Sequence, residues 1–219
     1  MLFDNYTIAD LEDIIIRKED YHPLPVASER KKWVLIDDKE KIKFIFRGEE
    51  YLDYNWPSLT ATLYMEYYKT GNRSHYENLY FKRRYALCSL IIAECLEGKG
   101  RFLDQIVNGI WLILEESTWV IPAHNIDVAN NYKDILSPEK TDQGIDLFSA
   151  ETGALLSWTY YLLKEQLDTI TPRINERIEK EVNERIIDQY LKRDDIWWMG
   201  FYNTSHHINN WNPCVIRIV

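Results

Sequence analysis

The sequence predicts an all-α protein built from stacked antiparallel helical hairpins, and three observations carry that expectation. Apolar residues recur at helical spacing through most of the chain, as in Phe102, Ile106, Ile110, Ile113 and Leu114. Gly and Pro number only eight and seven in 219 residues, too few for the many tight turns of a β-sandwich. The turn signals that do occur fall between the periodic segments, at Tyr54-Asn55-Trp56-Pro57, Gly71-Asn72, Gly98-Lys99-Gly100 and Thr171-Pro172. At 46% hydrophobic residues the chain is long enough to bury a sizeable core.

Taken in order, residues 7–18 read as a short amphipathic helix with Thr7 or Asp10 as N-cap and Leu11, Ile14 and Ile15 on its apolar face. Tyr21-His22-Pro23-Leu24-Pro25 ends it, because the residue before each Pro is pushed out of the helical region. Residues 28–33 open another helix, with Glu29-Arg30-Lys31-Lys32 exposed. Residues 41–47 alternate Lys and apolar side chains and read equally as strand or helix. After the turn at Pro57, Ser58 caps a helix that runs to Lys69 and closes at Gly71. Long helices follow over 74–96 and 101–116, then a loop of some thirty residues, then helices over 146–165 and from Pro172 to 192. On the last helix Arg173, Glu176, Arg177, Glu179, Lys180, Glu181, Glu184 and Arg185 are expected to point outward.

Charge and cysteine content exclude several functions. A net charge of −9 leaves no basic stripe to displace counterions, which argues against nucleic-acid binding. The same acidity repels a polyanion at long range, so an acidic substrate requires a local basic or amide-rich site. Arg83-Arg84 is one candidate for it, although a solvated helix face is the simpler reading. Cys88, Cys95 and Cys214 form neither a disulfide framework nor a zinc site, and the first two read as buried thiols in an apolar helix. No apolar stretch reaches membrane-spanning length, and Met1-Leu2-Phe3-Asp4-Asn5 does not open a signal peptide.

Two stretches carry the candidate chemistry. Asp195-Ile196-Trp197-Trp198-Met199-Gly200-Phe201 runs on to His206-His207-Ile208-Asn209-Asn210-Trp211-Asn212-Pro213, and Glu115-Glu116-Ser117-Thr118-Trp119 runs on to Pro122-Ala123-His124-Asn125. Aromatic planes stack on sugar C–H faces, amides bond hydroxyls or carboxylates, and a His moves protons near neutral pH. The same residues also describe a buried Trp cluster beside a turn. Both stretches follow the C-terminal end of a predicted helix, so in a stacked array they converge on one side.

These stretches, with Asp146-Leu147-Phe148-Ser149-Ala150-Glu151-Thr152-Gly153 between them, resemble the heparinase II/III family of polysaccharide lyases. The resemblance runs from about Thr7 to Pro213 and rests on four motifs in order, at 115–125, 146–153, Trp197-Trp198-Met199-Gly200 and Asn209-Asn210-Trp211-Asn212-Pro213. It implies that 1–213 form the N-terminal portion of an incomplete (α/α) toroid, that 214–219 are a tail outside the family pattern, and that a β-sandwich domain belongs downstream. It further implies β-elimination of uronic-acid-containing glycans, heparin-like, heparan-sulfate-like or alginate-like, by a periplasmic or secreted enzyme. A polar group neutralises the uronate so that the proton at C5 becomes acidic. A Tyr or His removes that proton, and another group protonates the departing oxygen. The chemistry requires no metal or other cofactor, although some relatives hold a structural zinc in the β domain.

Carried over by position, Asn210 is the favoured carboxylate-neutralising residue, with Asn212 next. His207 and His206 are candidates for acid, base or substrate contact. Trp119, His124, Asn125, Trp197, Trp198, Asn209 and Trp211 would line the cleft or stack on sugar. Relatives place their catalytic Tyr and a further His beyond the Asn-Trp-Asn-Pro motif, so the stretch matched here is expected to be inactive alone and to self-associate through exposed helix faces. Two competing readings remain: a non-catalytic glycan-binding module with the same aromatic groove, and a hydrolase pairing Glu115, Glu116 or Glu151 with Asp194 or Asp195.

Overall fold

A computed structural model describes residues 7–17, 20–125, 144–193, 195–199 and 210–218. Among them all regular structure is helical: α1 Ile8–Ile14, α2 Arg30–Trp33, α3 Asp38–Glu49, α4 Ala61–Tyr64, α5 Glu66–Thr70, α6 Ser74–Glu97, α7 Leu103–Leu114, α8 Leu147–Ile170, α9 Arg173–Val182, α10 Asp188–Lys192 and α11 Trp211–Ile218. Short 3-10 turns occupy Pro122–His124 and Trp197–Met199. The expectation of an all-α chain holds for every described residue.

Capping explains where the helices begin and end. Thr7 and Asp10 bond reciprocally at the start of α1: the Thr7 amide donates to Asp10 and the Asp10 amide to the Thr7 hydroxyl. The ambiguous 41–47 segment lies inside helix α3, because Asp37 caps it through the Lys39 amide. Thr60, not Ser58, caps the next helix, which breaks into α4 and α5 at Met65 and closes at Gly71 in the left-handed region. Gly98 ends α6 with φ of 67°.

Helix α6 is the centre of the packing. It contacts α3, α7 and α8, and α8 in turn contacts α9 and α11. Tyr80, Leu87, Leu90, Ala93 and Cys95 of α6 are fully buried with Ile106, Ile110, Ile113, Leu156, Leu163 and Leu167. Cys88, expected in the core, is only partly buried. Gly48 lets α3 approach α6, where an added Cβ would collide with Ala93. From α9 the chain continues through one π-helical turn, Asn183–Ile187, into α10, a widening of the sort found where a neighbour intrudes. Ile186 of that turn packs against Gly153 of α8.

Two expectations about charge are corrected. Arg83 and Arg84 are not on a solvated face: they are 5% and 9% exposed, and both bond the buried carboxylate of Glu116. Glu181 and Arg185 also turn inward. The reason is the C-terminal end of α7, whose last carbonyls lack helical partners. Arg185 donates to the carbonyls of Leu114 and Glu116 at 3.1 and 2.9 Å, and Arg83 to that of Leu112 at 3.2 Å. Helix α11 runs through the 213/214 position without interruption.

Candidate functional site

The site is assembled where the residues following α7 meet the start of α8. Tyr64 and Tyr68, from the short helices α4 and α5, hold the first segment of this junction. The Tyr64 hydroxyl donates to the Val120 carbonyl at 3.2 Å and that of Tyr68 to the Pro122 carbonyl at 2.9 Å. Burial pushes the Tyr68 phenol up to about 12 and that of Tyr64 higher still, so both remain neutral donors. Pro122 then opens the 3-10 turn that presents His124.

Asp146 is the N-cap of α8. Its Oδ1 accepts the Ser149 amide at 2.7 Å while the Ser149 hydroxyl lies 2.9 Å from the Asp146 amide, a reciprocal capping box. The other oxygen, Oδ2, lies 2.8 Å from Nδ1 of His124. A carboxylate, when ionised, only accepts, so it selects the tautomer with the hydrogen on Nδ1, in which Nε2 is the acceptor. Phe148 stacks on the imidazole at 5.3 Å and 8°, and Trp211 lies against it at 4.6 Å and 51°. His124 is therefore held by one carboxylate and two rings, with 16% of its side chain exposed.

The two candidate stretches do converge here. The Trp198 indole donates to the Ile145 carbonyl at 2.7 Å, and the Asn212 amide donates to the Trp198 carbonyl. Asn210 is exposed in the turn that begins α11. Asn125 is buried; its amide donates to the Tyr64 hydroxyl at 3.2 Å, and its Oδ1 has no hydrogen-bond partner among the described residues.

Other candidates are placed differently. Trp119 and Trp198 are 2% and 0% exposed, and the Trp119 indole donates to the Ile113 carbonyl at 2.9 Å. Their rings are core, with no face open to a sugar. Trp197 begins the 3-10 turn Trp197–Met199. His206, His207 and Asn209 lie outside the described residues, as does Asp194.

Three acidic groups of the hydrolase reading are engaged elsewhere. Glu116 is neutralised by two arginines, Glu115 pairs with Arg177 at 2.6 Å, and Asp195 pairs with Arg193 at 2.6 Å. That last contact holds the Asp195 carboxyl below the usual carboxylate range. Glu151 alone shifts upward, through burial and then through the charge of Asp146. Among the described residues no cluster of His, Cys, Asp and Glu could hold a metal ion, and no helix is long and apolar enough to cross a membrane.

Asp146 and Phe148 enter the sequence reading only within the 146–153 motif and without a role, although Asp-Leu-Phe-Ser is a legible capping box. Tyr64 and Tyr68 gave no such signal. No protein-family model and no curated protein matches the chain.

Proposed function

We propose that this chain supplies the toroid-forming portion of a lyase that cleaves uronic-acid-containing polysaccharides by β-elimination, and contributes one side of its cleft. The observation that supports it most is His124, fixed by Asp146 and flanked by Trp211, with Asn210 exposed at the turn before Trp211. An amide and an imidazole edge next to an indole are suited to a uronate: the amide donates to the carboxylate, the imidazole nitrogen accepts from a hydroxyl, and the ring meets the sugar face. In this reading Asn210 neutralises the carboxylate, His124 accepts a hydroxyl of the same sugar at Nε2, and the base that removes the C5 proton comes from chain beyond the matched motifs. The exposed apolar residues Val34 and Leu35, between α2 and α3, and Ile42 and Phe46 of α3 support self-association, which sedimentation over a concentration series would reveal.

The test is a titration of the chain with trigalacturonate, followed by NMR and by the ultraviolet absorbance of an unsaturated uronate. Binding that shifts the His124 and Trp211 signals without product is the expected result. No perturbation at either residue overturns the proposal. A second reading, a non-catalytic glycan-binding module, is favoured by the clamping of His124 between two rings, which serves binding without turnover. If a version extended by a relative's downstream region binds but forms no double bond, that reading replaces the first.

A further inference from the structure

Between α6 and α8 lies a cleft of about 350 Å³ that the function above does not use. Phe81, Arg84, Tyr85, Phe148, Glu151 and Leu155 are among the residues lining it. It shares a wall with the candidate site, because Phe148 stacks on His124 and also meets Phe81 edge-to-face at 4.9 Å and 78°. Tyr85 keeps 55% of its surface exposed at the mouth.

The charge in this cleft decides what it can hold. Arg84 is its cation, but its Nη atoms lie 2.9 and 2.6 Å from the Glu116 carboxylate and its Nε 3.0 Å from the Thr152 hydroxyl. That guanidinium is spent on an internal partner. Glu151, exposed at the rim, supplies the remaining charge, and Arg84, already paired, is the sole cation among the lining residues. A carboxylate or sulfate entering here would be repelled by Glu151, whereas a hydroxyl would donate a hydrogen bond to its carboxylate. Aromatic rings beside such an acceptor suit the C–H face of a sugar.

We propose that the α6–α8 cleft is a subsite for an uncharged pyranose, the neighbour of the charged ring held at His124 and Trp211. This rests on the glycan reading given above and narrows it: the favoured substrate class is a polysaccharide in which an uncharged, unsulfated sugar adjoins the uronate. Glu151 acts as a specificity-determining residue that admits hydroxyls and rejects anions.

The test uses the whole chain and two probes, cellotriose and trigalacturonate, followed by NMR. Cellotriose is expected to shift the signals of Tyr85, Glu151 and Leu155, and Tyr85→Ala to weaken that binding roughly threefold to tenfold, the scale of one aromatic contact. Glu151→Gln should admit trigalacturonate to the cleft, as seen by new shifts at Tyr85 and Leu155, and should weaken cellotriose binding, because an amide oxygen is a poorer acceptor than a carboxylate. Cellotriose silent in the cleft while trigalacturonate still shifts His124 and Trp211 overturns the subsite and leaves the functional reading intact. Both probes silent overturns both. Trigalacturonate occupying the unmutated cleft as readily as cellotriose overturns the role of Glu151.

Discussion

Nδ1 of His124 lies 2.8 Å from Oδ2 of Asp146, while Oδ1 of the same carboxylate accepts the Ser149 amide and begins helix α8. One buried side chain, 2% exposed, thus fixes both the helix start and the imidazole. The position of His124 is inherited from the fold through that carboxylate, which is why a helix cap bears on a binding site.

The two duties of Asp146 can be separated. Asp146→Ala removes the cap and should destabilise the fold by about 1–2 kcal/mol, measured by urea denaturation. Asp146→Ser keeps a capping oxygen but cannot also reach His124, so it should recover most of that stability. Both variants should weaken trigalacturonate binding alike. Binding that tracks stability instead would show Asp146 to be a cap and nothing more.

The buried Glu116 carboxylate pairs with both Arg83 and Arg84, at 3.0 and 2.6 Å. Glu116→Gln leaves two buried guanidinium groups without their counter-charge. Loss of one partner of a buried pair is expected to destabilise by about 3–5 kcal/mol. The melting temperature should fall steeply, and Asp at this position should not rescue it, because a shorter chain cannot span both arginines.

Much of the fold was legible because helical period and capping chemistry are local. Gly71, Gly98 and Asp146 mark their helix ends within a few residues. The segment 41–47 was undecided because its alternation fits either period, and Asp37 with the docking surface of α6 settles it. The Arg83-Arg84 pair was misread for a different reason: its partner is about thirty positions away, at 32 residues from Arg84, and a buried ion pair has the same local sequence as a solvated one. Trp119 and Trp198 against Trp211 make the same point for the site. Residue type gives an indole, but only packing tells whether its face is closed.

Glu151 gives a stability signature with a definite sign. Its carboxyl is raised in the folded state by burial and then by Asp146, so the folded protein holds the proton to higher pH than the unfolded chain. Stability from this group is fully present below the ordinary Glu range and is lost as pH rises through the folded value. Glu151→Gln should therefore melt higher than the parent at neutral pH. The gap should close when both are measured at a pH below that range, and a gap of constant size would point to a packing effect.

Trp119 and Trp211 should respond in opposite ways. Trp119→Phe removes a buried indole bond to the Ile113 carbonyl, 2.9 Å long, and leaves space in a close-packed core. It should destabilise by roughly 1–3 kcal/mol, the sum of a lost hydrogen bond and a small cavity, yet leave trigalacturonate affinity unchanged. Trp211 is only partly buried and lies on the imidazole of His124. Trp211→Ala should weaken trigalacturonate binding about tenfold, near 1.4 kcal/mol, with Trp211→Phe recovering part of it because a ring face is restored. Each variant is to be titrated under conditions where circular dichroism shows it folded. A Trp119 variant that stays stable but loses binding would move the sugar site from the α8 start into the present core, and would require the α7–α8 junction to open.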